Sequence, residues 1–190
     1  MVILGIDPGS ITTGYALLDC CDTGASVLEY GVLHVPSTHS LEDRLLQIVT
    51  KLETLLDKYH PSALAMEGVF FAKNAKSALV LGHIRGAILV ACRKRGLTFN
   101  EYPPKLVKQA VTGDGAASKE QVANMVFAHL GIDGSEQLPL DASDALAIAW
   151  THANPSPLNV ALKRKGYAKK KKATVQAWKD LIEKMGGSIQ

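Results

Sequence analysis

The segment Val2–Ile6 is apolar except for Gly5 and runs directly into Asp7-Pro8-Gly9-Ser10. A short continuous apolar run closed by Pro-Gly is the pattern of a central strand followed by a turn. A strand of that kind needs partners on both sides, and the chain supplies them in order. Gly14–Leu18 and Ser26–Val35 read as two further strands joined at Asp22-Thr23-Gly24, so the chain opens as an antiparallel meander. Ser40 starts a helix on which Leu41, Leu45, Ile48, Leu52, Leu55 and Leu56 recur at helical spacing, with Glu42 and Asp43 in its first turn. Ala63–Met66 is a fourth strand ending at Glu67, and Leu97–Glu101 a fifth. Between them Asn74–Arg95 forms a long helix closed by Gly96.

Helices then follow from Pro103-Pro104 to Val111, from Ser118 to Leu130, and from Asp141 to the prolines at 155 and 157. Ser118 and Gln121 form a capping box. The order β-β-β-α-β-α-β-α-α-α predicts an α/β fold, a five-stranded mixed sheet flanked by helices. The helix Asn74–Arg95 is apolar around most of its circumference, so it needs cover on more than one side. One side is the sheet. The other is either a neighbouring helix of the same chain or a subunit interface, where Gly82 and Gly86 would allow close approach. Leu81 and Ile88 are the positions at which a charge tests such an interface.

Composition narrows the function. The chain has 190 residues, 47% hydrophobic and 21% charged, which suits one globular body with an appendage. No apolar stretch approaches the ~18 residues of a membrane span, and Val2–Ile6 lacks the basic flank of a signal peptide. Cys20, Cys21 and Cys92 have no metal-ligand spacing, so the expectation is a reduced, cytoplasmic protein without disulfides. Residues 1–154 hold 12 Lys/Arg against 16 Asp/Glu, whereas residues 155–190 hold 9 against 2. We expect a body over 1–154 and a basic tail over 155–190, where Val175, Trp178, Ile182 and Met185 make one face of a short amphipathic helix. Such a tail either binds a polyanion, nucleic acid first, or solubilises the protein.

Four carboxylates stand out by position. Asp7 and Glu67 each end an apolar strand, and two adjacent parallel strands would bring them side by side. Asp141 and Asp144 share one helix face by their spacing. Taken singly, each has an ordinary explanation: Asp before Pro-Gly forms turns, and Asp at a helix start caps amides and meets the dipole. Taken together, hard oxygen donors without Cys or His suit Mg²⁺ or Mn²⁺. Phosphodiester hydrolysis with two ions uses such a cluster.

The segments Leu4-Gly5-Ile6-Asp7-Pro8-Gly9-Ser10, Glu67-x-Val69-Phe70-x-Ala72-Lys73-Asn74, Val107-Lys108-Gln109 and Asp141-Ala142-x-Asp144 resemble the RuvC Holliday-junction resolvase family, in that order and spacing, over roughly residues 1–152. The resemblance implies an RNase H-like fold, a homodimer, and paired symmetric cleavage of four-way DNA junctions that leaves 5′-phosphate ends. It implies Asp7, Glu67, Asp141 and Asp144 as metal ligands for two Mg²⁺ ions per subunit, with Mn²⁺ able to substitute. It also implies Lys108 as a catalytic lysine, Phe70, Lys73 and Lys119 as DNA contacts, and the RuvA–RuvB branch-migration complex as partner. The tail matches none of these motifs. Two other readings are an ATP-dependent phosphotransferase, whose phosphate loop also reads Gly-Ile-Asp-x-Gly-Ser, and a DNA-binding module without catalysis. The first needs a second such domain to clamp ATP, which the chain is too short to hold.

Overall fold

The computed structural model describes residues 1–22, 24–68, 75–133 and 139–154. The elements follow the expected order: β1 (Val2–Asp7), β2 (Thr12–Cys21), β3 (Gly24–His34), α1 (Leu41–Tyr59), β4 (Ala63–Glu67), α2 (Ala75–Lys94), β5 (Thr98–Tyr102), α3 (Pro104–Thr112), α4 (Lys119–Leu130) and α5 (Leu140–Ala153). They form one sheet of order β3-β2-β1-β4-β5. The meander β1-β2-β3 is antiparallel, while β4 and β5 join parallel on the other side of β1. This is the RNase H-like arrangement that the resemblance implies. The strands β2 and β3 run longer than their apolar cores suggest, because the register continues out to Cys21 and Gly24 past a bulge at Leu17/Leu18.

Alternate residues of β1 face opposite sides. Leu4 and Ile6 pack with Ile48, Leu52, Ile84 and Ile88 of α1 and α2. Ile3 packs with α3, α4 and α5 through Leu106, Val126 and Leu146. The continuous apolar run of β1 is thus explained by helices on both faces. On the α5 side Gly5 and Gly14 replace side chains with backbone contact. A Cβ built on Gly5 would collide with the Ala145 carbonyl oxygen, and one on Gly14 with that of Asp141. The start of α5 therefore rests directly on β1 and β2.

The helix α2 divides sharply. Ile84, Arg85, Ile88, Ala91 and Cys92 are buried against the rest of the chain. Leu79 and Val90 are 65% and 61% exposed, and a Cβ on Gly82 or Gly86 would meet open space. By length and composition α2 could cross a bilayer, yet its inner face is part of the core. Of the two test positions, Ile88 lies on that inner face and is fully buried. Leu81 is half-buried. The outward stripe is Leu79, Gly82, His83, Gly86 and Val90. An almost uniformly apolar helix has no polar face to mark its outside, so the sequence pattern could not orient it.

Candidate active site

Parallel pairing of Ile6 with Met66 puts the next residues, Asp7 and Glu67, at one edge of the sheet on the α5 side. The turn after Asp7 is fixed from within. The Thr13 hydroxyl donates to the Gly9 carbonyl at 3.1 Å and accepts from the Gly9 N–H at 3.4 Å. Arg44 Nη1 donates to the Ser10 carbonyl at 2.8 Å. The turn is thus held by Thr13 and Arg44, and it fixes the backbone of Asp7 at the strand end.

The other two carboxylates come from α5. The N-cap of this helix is Pro139, without a side-chain cap, and Leu140 is its first residue. Asp141 therefore does not begin the helix as an N-cap, contrary to the simplest reading of the sequence. Asp144 lies one turn on, beside Asp7, and lines a cavity of about 360 Å³ with Asp7, Glu67, Lys108 and Lys119. Its apolar walls include Val107, Val122 and Ile148. Asp141 does not line this cavity, although its charge acts on Asp7.

Electrostatics in the cavity are those of crowded anions. Burial, then the charges of Asp144, Glu67 and Asp141, push the Asp7 carboxyl up from 3.8 to about 7, with Lys119 opposing. Glu67 is raised for the same reasons, burial first and Asp144 second. Two lysines face the cluster. Lys119 Nζ pairs with Asp144 Oδ2 at 2.7 Å, which raises the lysine's own pKa. Lys119 opens α4, whose Ser118–Gln121 capping box is complete. A cation in a first helical turn is unfavourable to the dipole, and the ion pair across to α5 accounts for it. Lys108 Nζ donates to the Ala117 carbonyl at 2.6 Å, bracing the loop before α4. An ammonium has three donors, so two remain for other acceptors.

Among the described residues no three His, Cys, Asp or Glu side chains close around a point that could hold a metal ion. The donor set nevertheless fits a hard divalent cation. It is all oxygen and mutually repelling, and one member already draws in an ammonium as counter-ion. Phe70 and Lys73 lie outside the described residues. Sequence reasoning missed Gly5, Gly14 and Arg85. Isolated glycines inside strands are a known sign of close backbone approach, so the first two could have been found. Arg85 could not, because an arginine in a helix ordinarily reads as exposed.

Comparison with known proteins gives the family of the chain. Residues 3–152 match the family model of crossover junction endodeoxyribonuclease RuvC. The RuvC of Chloroherpeton thalassium is 45% identical over 149 residues, spanning 78% of this chain and 80% of that one. That of Chromohalobacter salexigens is 46% identical over 152 residues, 80% of each. The structure of Thermus thermophilus RuvC in complex with a Holliday junction substrate superposes with a TM-score of 0.73 at 33% identity, covering 80% of this chain and 93% of that one.

Proposed function

From the premise that this chain belongs to the RuvC family of crossover junction endodeoxyribonucleases, we propose that it resolves four-way DNA junctions in recombination and repair, by paired symmetric nicks that leave 5′-phosphate ends. Family membership removes the phosphotransferase alternative. The observation that carries the site assignment is the meeting of Asp7, Glu67 and Asp144 in one cavity, with Asp7 raised by burial and then by its neighbours.

Asp7, Glu67, Asp141 and Asp144 would hold Mg²⁺, two ions per subunit, with Mn²⁺ able to substitute. When bound, the ions supply activation of water and Lewis-acid stabilisation of the leaving oxygen. The chain's own residues do the rest. Asp7 and Glu67 are fixed on strand backbone, so the ligand geometry is set by the sheet. Lys108 uses its remaining donors to neutralise the scissile phosphate. Lys119 exchanges Asp144 for a DNA phosphate as the duplex enters, and Phe70 and Lys73, beyond Glu67 in sequence, contact the junction. Val107, Val122 and Ile148 keep bulk water from one wall, which strengthens each of these charge interactions.

The outward stripe of α2, Leu79 to Val90, carries the proposal of a homodimer: large apolar side chains stand exposed beside glycines that leave room for a second copy. A two-fold dimer presents two sites to two opposed strands. Residues 1–154 would form the nuclease body and 155–190 a basic DNA-binding appendage, acting in the cytoplasm with RuvA–RuvB.

The test is incubation with Mg²⁺ and either a synthetic four-way junction or linear duplex. Symmetric nicks in the junction alone are expected. Equal cleavage of the duplex, or none of either, would overturn the assignment. Pull-down against RuvA and RuvB tests the partner separately.

A further inference from the structure

We infer that Arg85 is a positioning residue for Glu67, locking α2 to the end of β4 that carries this carboxylate; the inference rests on the site proposed above. Arg85 sits in the apolar inner face of α2 and is only 8% exposed. Its guanidinium divides between two strands. Nη1 donates to the main-chain carbonyl of Glu67 at 2.6 Å, and Nη2 pairs with Glu101 Oε1 of β5 at 2.7 Å. A buried guanidinium is costly unless its donors are satisfied by well-placed acceptors, and here one acceptor is the backbone of a site residue.

The place of the contact is telling. The β1–β4 ladder ends at Ile6/Met66, one residue before the carboxylates. On the other side of β4, the Gly68 N–H still bonds the Tyr102 carbonyl at 2.8 Å. Glu67 therefore stands where sheet hydrogen bonding runs out on the side facing Asp7. Arg85 supplies the missing restraint from the opposite face, through the carbonyl, and leaves the Glu67 side chain free toward the cavity. Glu101 holds the guanidinium in register from β5. Lysine cannot reproduce this, because its point charge has no planar fork to span carbonyl and carboxylate together.

The experiment uses the full-length protein as Arg85→Lys, Glu101→Gln and Glu67→Gln. The readouts are amide hydrogen exchange at Gly68, Mn²⁺ binding without DNA by calorimetry, and single-turnover junction cleavage. Outer-shell partners of metal ligands typically contribute ~10–100-fold in metal affinity. Arg85→Lys should lose Mn²⁺ affinity in that range and exchange Gly68 several-fold faster, while binding the junction normally in EDTA. Glu101→Gln should show the same changes to a smaller extent. Wild-type Mn²⁺ affinity and Gly68 exchange in Arg85→Lys would overturn the inference, and so would activity lost only in proportion to unfolded protein. If Arg85→Lys does not fold, Glu101→Gln decides by the same two readouts. Normal cleavage by Glu67→Gln would instead sink the proposed site. An inactive Glu67→Gln beside an unaltered Arg85→Lys sinks the positioning role alone.

Discussion

Asp7 carries two opposed demands. To hold a cation as proposed its carboxylate must be charged, yet burial and the facing charges of Asp144, Glu67 and Asp141 raise it to about 7, with Lys119 opposing. Asp7→Asn should abolish cleavage and leave junction binding intact or tighter, since a negative charge facing phosphate is gone; near-normal cleavage at saturating Mg²⁺ would refute its role. The raised pKa also fixes the sign of a stability effect. The folded, metal-free protein holds a proton on Asp7 that the unfolded chain releases near 3.8, so this contribution is fully present below 3.8 and is lost as pH rises through about 7. A tenfold change in proton affinity between the folded and unfolded chain is worth about 1.4 kcal/mol. Urea denaturation in EDTA should therefore show Asp7→Asn gaining at least ~1 kcal/mol on the native protein at pH 8.5, and little or nothing at pH 4. With metal present, protons compete for the same oxygen, so the Mg²⁺ needed for half-maximal cleavage should climb as pH falls from 8 to 6. At this scale the sequence was informative where chemistry depends on position in a strand, as for Asp7 and Glu67. It named Lys108 through the resemblance but was silent on its bond to the Ala117 carbonyl, which depends on how α3 meets the next loop.

Between elements, the contact that assembles the site is α5 on bare backbone. Gly14→Ala would drive a methyl into the Asp141 carbonyl, forcing α5 off the sheet. We expect about 1–3 kcal/mol of destabilisation and a larger proportional loss of cleavage, because Asp141 and Asp144 ride on the displaced helix. Unchanged turnover in a destabilised Gly14→Ala would show that α5 placement does not set the rate. The helix α2 makes the complementary case. Among the described residues Leu79 and Val90 join neither core cluster, so Val90→Asp or Leu79→Asp should yield folded monomers by sedimentation, whereas Ile88→Asp should unfold the protein. A wild-type monomer at micromolar concentration would remove the dimer. Element order was readable because each helix and strand has its own period, cap or terminating glycine. Which side of α2 faces out was not, since that depends on where α1 and the sheet lie.

Across the whole molecule the charges are unevenly distributed. An acidic body of net −4 over 1–154 must approach a polyanion, and residues 155–190 bring a net +7. Each phosphate contact made by the tail adds ~0.9 to the slope of log affinity against log salt on duplex arms. Truncation after Asn154 should weaken binding, flatten that slope and leave cleavage at saturating protein largely intact. An unchanged slope would remove the tail from DNA binding, whatever the melting temperature does. The charge inside the body is balanced differently. Because the Lys119 ammonium already rests against Asp144, emptying the cavity of metal does not leave its anions wholly unscreened. We therefore expect folding and metal loading at the proposed site to be separate events, unlike those of domains that collapse when their ion is chelated. The protein should survive dialysis against EDTA with its circular dichroism unchanged and recover full activity on adding Mg²⁺ back, a nuclease that can be kept safely idle on its own substrate until the ion arrives.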